Sequence, residues 1–180
     1  MTSSDSTAQL LRIVKIAMTA AIALLMSLVA FGNVTDYGTN FAFVQHVMSM
    51  DSLFPDTTIT YRAITSPQLH HAAYALIIAT EIIVAVLSWL GALALFRAIR
   101  APARSFNRAK GLAIAGLALG FLLYQVGFVT IGGEWFGMWM SEHWNGVASA
   151  FRFLMIIVAV LIFVALPDSD GGNAGTDPNR

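Results

Sequence analysis

The sequence predicts an all-α integral membrane protein: a bundle of four transmembrane helices in up-down-up-down order, with a structured outer loop that carries a short amphipathic helix. Hydrophobic residues make up 57% of the chain and charged residues 11%, which is far more apolar than a soluble domain. A helix needs roughly 20 apolar residues to cross about 30 Å of hydrocarbon. Four stretches meet or approach that length: 15–32, 72–96, 111–131 and 147–166.

The spans and their loops occupy residues 10–166 as one transmembrane domain. The flanking segments 1–9 and 167–180 are mostly small and polar, so we expect two disordered tails. Basic residues precede the first span and crowd the link between the second and third, whereas the outer loops hold only Arg62. Because Lys and Arg in short loops mark the cytoplasmic side, this asymmetry predicts a multi-pass protein with both termini in the cytoplasm.

Composition and motifs exclude several classes of function. Ten Lys and Arg balance ten Asp and Glu, and a basic cluster beside a membrane favours anionic lipid headgroups, so we predict membrane lipids and no nucleic acid as partners. The absence of cysteine excludes disulfides, zinc-thiolate sites and iron–sulfur clusters. The chain carries no nucleophile–base pair, phosphate loop or metalloprotease motif. The sequence therefore predicts no catalytic residue and no cofactor.

The first outer loop carries two helix signals. Phe41, Val44 and Met48 recur at helical spacing after Asn40, a residue suited to an N-cap, which predicts a short amphipathic helix on the membrane surface. Ser66 followed by Pro67 is a typical helix start, because the hydroxyl can cap free amides and proline at the first turn loses no hydrogen bond. The second long helix thus begins before its span.

The third span contains Gly116 and Gly120, a small-x-x-x-small pair that allows close helix contact. The pair supports packing within the bundle at least as well as dimerisation. The second outer loop contains Trp135, Trp139 and Trp144, which suit the interfacial belt where aromatic rings meet lipid headgroups.

Two charges lie well inside the predicted spans, Glu81 in the second and Arg152 in the fourth. Intramembrane charges cost on the order of 2.5 to 3.5 kcal/mol, so such residues normally face the bundle interior and find partners. We predict an intramembrane polar cluster in which Glu81 pairs with Arg152, with Gln125 as a bridge and Tyr74 on the same helix face as Glu81. A structural ion pair is the favoured interpretation, and a proton or ligand site is the alternative.

The histidines and several methionines fall on the predicted outer side. Imidazole and thioether groups are ligands that copper favours, whereas methionine also fills apolar gaps in ordinary cores. We assign no metal site, and the weak copper candidates are His46, Met48, Met50, Met138, Met140 and His143.

Several segments together resemble a known family. They are Asn33–Asp51, the run Tyr61-Arg62-Ala63-Ile64, Glu81, the run Gly132-Gly133-Glu134-Trp135-Phe136, and the pairs Met138-Trp139 and Trp144-Asn145. The chain resembles the bacterial predicted small integral membrane protein family, domain of unknown function 2165. The resemblance implies a four-span protein of a bacterial inner (plasma) membrane, and it implies no activity or cofactor.

Polar residues in loops on a rigid scaffold are reasonable recognition groups. The outer-loop candidates are Asp36, His46, Asp51, Arg62, Glu134, Trp135, Trp139 and Trp144. The first functional hypothesis is a non-enzymatic accessory or scaffold protein that binds a lipid, another membrane protein or a second copy of itself. The alternatives are a proton-coupled transport or ion-conducting role centred on Glu81 and Arg152, and an outer copper or redox site.

Overall fold

The computed structural model describes residues 3–169 as a helical bundle, and no strand occurs within that range. Its α-helices are α1 (Ser3–Thr35), α2 (Tyr37–Ser49), α3 (Pro67–Arg97), α4 (Ala103–Ala109), α5 (Gly111–Leu122) and α6 (Val147–Ala165). Helix α5 continues as a π-helix over Leu123–Trp135, here called the π segment, and short 3-10 turns occur at Ile59–Arg62 and Met138–Met140.

Four helices are long and apolar enough to cross a membrane: Ser6–Thr35, Pro67–Arg97, Ala103–Trp135 and Val147–Ala165. The predicted helical membrane bundle is therefore confirmed. Helix α3 begins at Pro67, as the Ser66–Pro67 pair predicts, and ends at Arg97. Helix α6 begins directly after Gly146 and ends before Leu166.

Helix α3 packs against α1 and α5, while α6 packs against α5 and α1. Small residues set the spacing between α3 and α5. A Cβ added at Gly116 would lie 2.8 Å from Ser88 Oγ, and one added at Gly120 would lie 3.1 Å from a methyl group of Val84. The Gly116–Gly120 pair thus serves contact inside the bundle, where close van der Waals packing replaces the hydrophobic effect.

A second apolar core holds the connecting segments over one end of the bundle, here called the loop end. It is built from Val44 and Met48 of α2, Met50 after it, Tyr74 of α3 and Phe136 after the π segment. The backbone N–H of Ile64 donates to the carbonyl of Met48 at 2.8 Å and ties the two sides of the loop together. The first connection is therefore a packed cap.

Helix α2 starts earlier than its sequence signal suggested. Its N-cap is Asp36, and Asn40 lies one turn inside, where its side-chain amide donates to the Asp36 carbonyl at 3.0 Å. α1 ends at Thr35, so the chain continues almost directly from one helix into the next. Only Asp36 separates the two helices, and the end of α1 lies close to α3, where the Tyr74 hydroxyl donates to the Asn33 carbonyl at 3.0 Å.

The opposite end of the bundle, here called the basic end, contains a buried charge cluster. Lys15 and Lys110 both contact Asp168 Oδ2, at 2.7 and 2.5 Å, and both donate to the carbonyl of Leu166 at 2.7 and 2.6 Å. Asn107 Oδ1 accepts from the Asp168 backbone N–H at 2.9 Å. Burial would raise the pKa of the Asp168 carboxyl, but hydrogen bonds and charge attraction from Lys110 and Lys15 outweigh it and lower that pKa below its usual range.

Both predicted tails need correction where the structure describes them. Residues 3–9 continue α1, since adding residues to an existing helix avoids the cost of nucleation. At the other end, Asp168 is ordered because it supplies the counter-charge for two buried lysines. The remainder of the predicted tails, residues 1–2 and 170–180, lies outside the described residues.

Candidate functional site

The candidate site lies at the loop end, where α1 meets α3 around Glu81. The Glu81 side chain is only 1% exposed. Asn33, near the end of α1, donates from its side-chain nitrogen to both carboxylate oxygens, at 2.9 Å to Oε1 and 2.8 Å to Oε2. A single amide nitrogen therefore donates to both oxygens of the carboxylate.

Tyr74 fixes the direction in which that amide points. It lies two turns before Glu81 on α3, and its hydroxyl donates to the Asn33 backbone carbonyl at 3.0 Å and to Asn33 Oδ1 at 3.3 Å. Because Oδ1 accepts from Tyr74, the nitrogen of the same amide must face Glu81. The three side chains form a relay from the end of α1 into the membrane-spanning part of α3.

The relay borders a cavity of about 330 Å³, here called the polar cavity. Its polar lining comes from five elements or their ends: Asn33, Asn40, Tyr74, Glu81, Tyr124, Asn145 and Ser149. Phe43, Phe128 and Phe153 add ring surface. The cavity has the size and the mixture of apolar wall and few polar groups that are typical of small-molecule sites.

An apolar cavity of about 590 Å³ adjoins the polar cavity. It lies between α2, α3 and the π segment, and its lining is aliphatic and aromatic apart from Thr130 and glycine. Four residues line both cavities: Phe43, Val44, Ile77 and Phe128. The loop end thus places a buried carboxylate beside a space suited to hydrocarbon.

The π segment supplies one wall of both cavities. Its 13 residues form a π-helix, in which hydrogen bonds join residues five apart, so the helix is wider than an α-helix. Tyr124 stacks on Phe153 of α6 with ring centroids 5.0 Å apart and lies 5.5 Å from Phe128. These three rings form a continuous aromatic wall facing the relay.

The structure corrects the predicted pairing of Glu81 with Arg152. The Arg152 side chain is exposed and donates to Ser149 Oγ at 2.9 Å, three residues nearer the loop end. It lies five residues after the first residue of α6, about 7.5 Å of helix, and its guanidinium turns toward the loop end to reach Ser149. Asn33 takes the place that was predicted for the arginine.

Gln125 does not bridge the pair either, because it bonds within the π segment. Its side-chain nitrogen lies 3.4 Å from Thr130 Oγ1, and that hydroxyl donates to the Gln125 carbonyl at 2.9 Å. Tyr74 belongs to the site as predicted by its helix face, but it acts on Asn33. Sequence reasoning missed Asn33, whose only signal was a polar residue closing an apolar span.

The weak copper candidates lie in separate contacts. His46 faces Asp51 at 2.9 Å and stacks on Trp144, while Met138 packs against Gly132 and Gly146. Met140 accepts from the Thr57 hydroxyl, and the side chain of His143 is exposed. Within residues 6–169, no group of three His, Asp or Glu side chains could hold a metal ion.

The outer-loop candidates mostly stabilise the cap. Arg62 lies over the rings of Tyr61 and Trp135 and donates to the carbonyls of Glu134 and Trp135, at 3.5 and 3.4 Å. Trp139 meets Phe54 edge to face. The side chains of Asp36 and Glu134 are exposed, outside both cavities.

Comparison with curated proteins and with solved structures found no match. A family model described as predicted small integral membrane protein matches residues 11–167, which include most of the first span, the other three spans and every residue that lines the two cavities. The match covers most of the 180 residues, and four apolar helices agree with its description. The chain therefore belongs to the family of predicted small integral membrane proteins known as DUF2165.

Proposed function

We propose that this protein binds an amphipathic, lipid-like molecule at the loop end. The polar group of the ligand enters the polar cavity and reaches Glu81, while its hydrocarbon part occupies the apolar cavity. The observation that carries the proposal is the pair of adjoining cavities, which share Phe43, Val44, Ile77 and Phe128. A water-soluble ligand without a hydrocarbon part would leave the larger, almost wholly apolar cavity unfilled.

The arrangement of the bundle favours a small ligand over a protein partner. The Gly116–Gly120 face, which could have received a helix from another chain, is filled by Ser88 and Val84 of α3. Arg62 and Trp135 pack on each other. The two glycines, Arg62 and Trp135 thus already have contacts within the chain.

Binding is also favoured over proton conduction. Between Glu81 and the basic end, most buried side chains are apolar, such as Val84, Leu117 and Ile157, and the described polar exceptions include the hydroxyls of Ser88 and Thr19. Arg152, the predicted partner in a proton path, donates to Ser149 instead of Glu81. This mostly apolar interior favours a ligand that binds at the carboxylate over a proton that passes through the bundle.

We place the loop end on the outer side of a plasma membrane and both termini in the cytoplasm. The support is the concentration of basic residues around the basic end, since Lys and Arg favour the cytoplasmic side. With that orientation, the two cavities open at the level of the outer leaflet. Reaction of single introduced cysteines at positions 104 and 56 with a membrane-impermeant reagent would test the assignment.

Binding is tested by filling the apolar cavity. Ala73 lines that cavity, whereas Ala75, two residues away on α3, is exposed and lines neither cavity. Native mass spectrometry of the full chain from mild detergent should show bound lipid for the unaltered protein and for Ala75→Phe, but not for Ala73→Phe. Equal lipid retention by the two variants would count against the proposal, provided that circular dichroism shows both to be folded.

A further inference from the structure

We infer that the polar group received by the polar cavity is an ammonium group, so that the ligand is an organic amine or an amine-headed lipid. This inference rests on the proposed function and specifies its ligand. The feature behind it is the combination of a buried carboxylate with a wall of aromatic rings.

The first step concerns the charge of Glu81. Its carboxylate is 1% exposed and is met by a neutral amide, and within residues 6–169 no Lys, Arg or His forms an ion pair with it. An ionised carboxylate can accept about four hydrogen bonds, and the Asn33 nitrogen supplies one to each oxygen, so acceptor positions remain unused. A buried charge is costly unless it is paired, so a cation entering the cavity gains a partner that the protein does not supply.

The second step concerns the walls. Tyr124, Phe128 and Phe153 form contiguous ring surface on the side of the cavity contributed by the π segment and α6. Ring faces attract cations, and the combination of aromatic side chains with a carboxylate is suited to ammonium groups. The same surface offers nothing to an anion.

The third step excludes the opposite charge. No Lys or Arg is among the described residues that line the polar cavity, and the basic side chains Lys15 and Lys110 are engaged at the far end of the bundle. A phosphate or carboxylate group would meet Glu81 without a counter-charge. Arg152 does not line the cavity and is linked to it through Ser149, which does.

The test compares three probes with the purified full chain by isothermal titration calorimetry in one detergent. They are dioctanoyl phosphatidylethanolamine, dioctanoyl phosphatidylglycerol and ethanolamine. We expect the ethanolamine lipid to bind about tenfold or more tightly than the glycerol lipid, as suits a desolvated cation between a carboxylate and ring faces. Glu81→Gln, which keeps an acceptor for Asn33, should remove this preference and leave the weaker binding through the chains.

A second variant guards against misfolding of Glu81→Gln. Phe153→Leu keeps an apolar side chain but removes the ring that stacks on Tyr124. It should weaken binding of the ethanolamine lipid and leave binding of the glycerol lipid unchanged. If ethanolamine binds in a Glu81-dependent way as tightly as the lipid does, the ligand is a soluble amine; the inference stands and the proposed function falls. Equal affinity for both lipids overturns the inference and leaves the proposed function intact, whereas binding of none of the probes overturns both.

Discussion

Replacing Asn33 with alanine should destabilise the protein through Glu81. The substitution removes a side chain that donates to both oxygens of the Glu81 carboxylate, and Glu81 is only 1% exposed. A hydrogen bond to a charged group contributes about 1.5–3 kcal/mol, and the buried acceptor loses its partner as well. We therefore expect a loss of about 2–3 kcal/mol in the free energy of unfolding.

The assay is reversible unfolding of the full chain in mixed micelles, followed by circular dichroism. Asn40→Ala is the matched control: Asn40 lines the same cavity, but its amide donates only to the neighbouring Asp36 carbonyl, so the change should be small. The decisive measurement repeats Asn33→Ala in a Glu81→Leu background, where its cost should largely disappear because the acceptor is gone. An equal cost in both backgrounds would show that Asn33 acts elsewhere, and the relay would be refuted.

Three further predictions concern the basic end, the α3–α5 contact and Arg152. Asp168→Asn should cost about 3–5 kcal/mol in unfolding experiments, because Lys15 and Lys110 remain buried without their carboxylate. Because folding lowers the pKa of Asp168, its carboxylate stabilises the fold fully above its unfolded pKa of about 3.9, and this stabilisation is lost as pH falls through the folded pKa. The free energy of unfolding, measured against pH, should therefore fall on the acid side in the unaltered protein, and Asp168→Asn should lack that part of the fall. Gly91→Val should separate α3 from α5, because its Cβ would meet the Ala113 backbone, whereas Gly111→Ala, with open space around it, should leave the melting temperature unchanged. Arg152→Ala should leave the melting temperature of the unliganded protein unchanged, because Arg152 bonds only to Ser149 within the described part of the chain. A strong destabilisation would instead support the ion pair with Glu81 that the sequence predicted.

The sequence was sufficient for the spans and for some helix ends because these depend on local properties. Ser66 and Pro67 mark the start of α3 through their own backbone chemistry, and the length of each apolar run determines whether a helix can span a membrane. The same reasoning identified Glu81 as buried, since an acid within a span must avoid lipid. Each of these conclusions needs only the residue and its neighbours in the chain.

The partner of Glu81 could not be read in this way. A carboxylate and a guanidinium at matching depths suggested an ion pair, but the helices that carry them both pack on α5 and α1, and an amide on adjacent α1 reaches the carboxylate directly. Arg152 lies near the start of α6 and meets Ser149 instead. Charge alone indicates that a partner is needed, while the helix arrangement decides which one is within reach.

The docking of Asp168 was missed for a related reason. A short polar run after the last span is typical of a solvated tail, and nothing local reveals that Lys15 and Lys110 are 3% exposed. The pairing joins residues 153 and 58 positions apart along the chain. Only a folded bundle brings such distant residues together.

The position of Asp168 bears on how the domain should be delimited. The family match ends at residue 167, and the last membrane-spanning helix ends at Ala165, so either boundary invites truncation just before the aspartate. A chain cut there would keep every span, but the ammonium groups of Lys15 and Lys110 would stay buried without the carboxylate that balances their charge. The shortest self-sufficient version of this protein thus extends at least one residue beyond its recognisable homology.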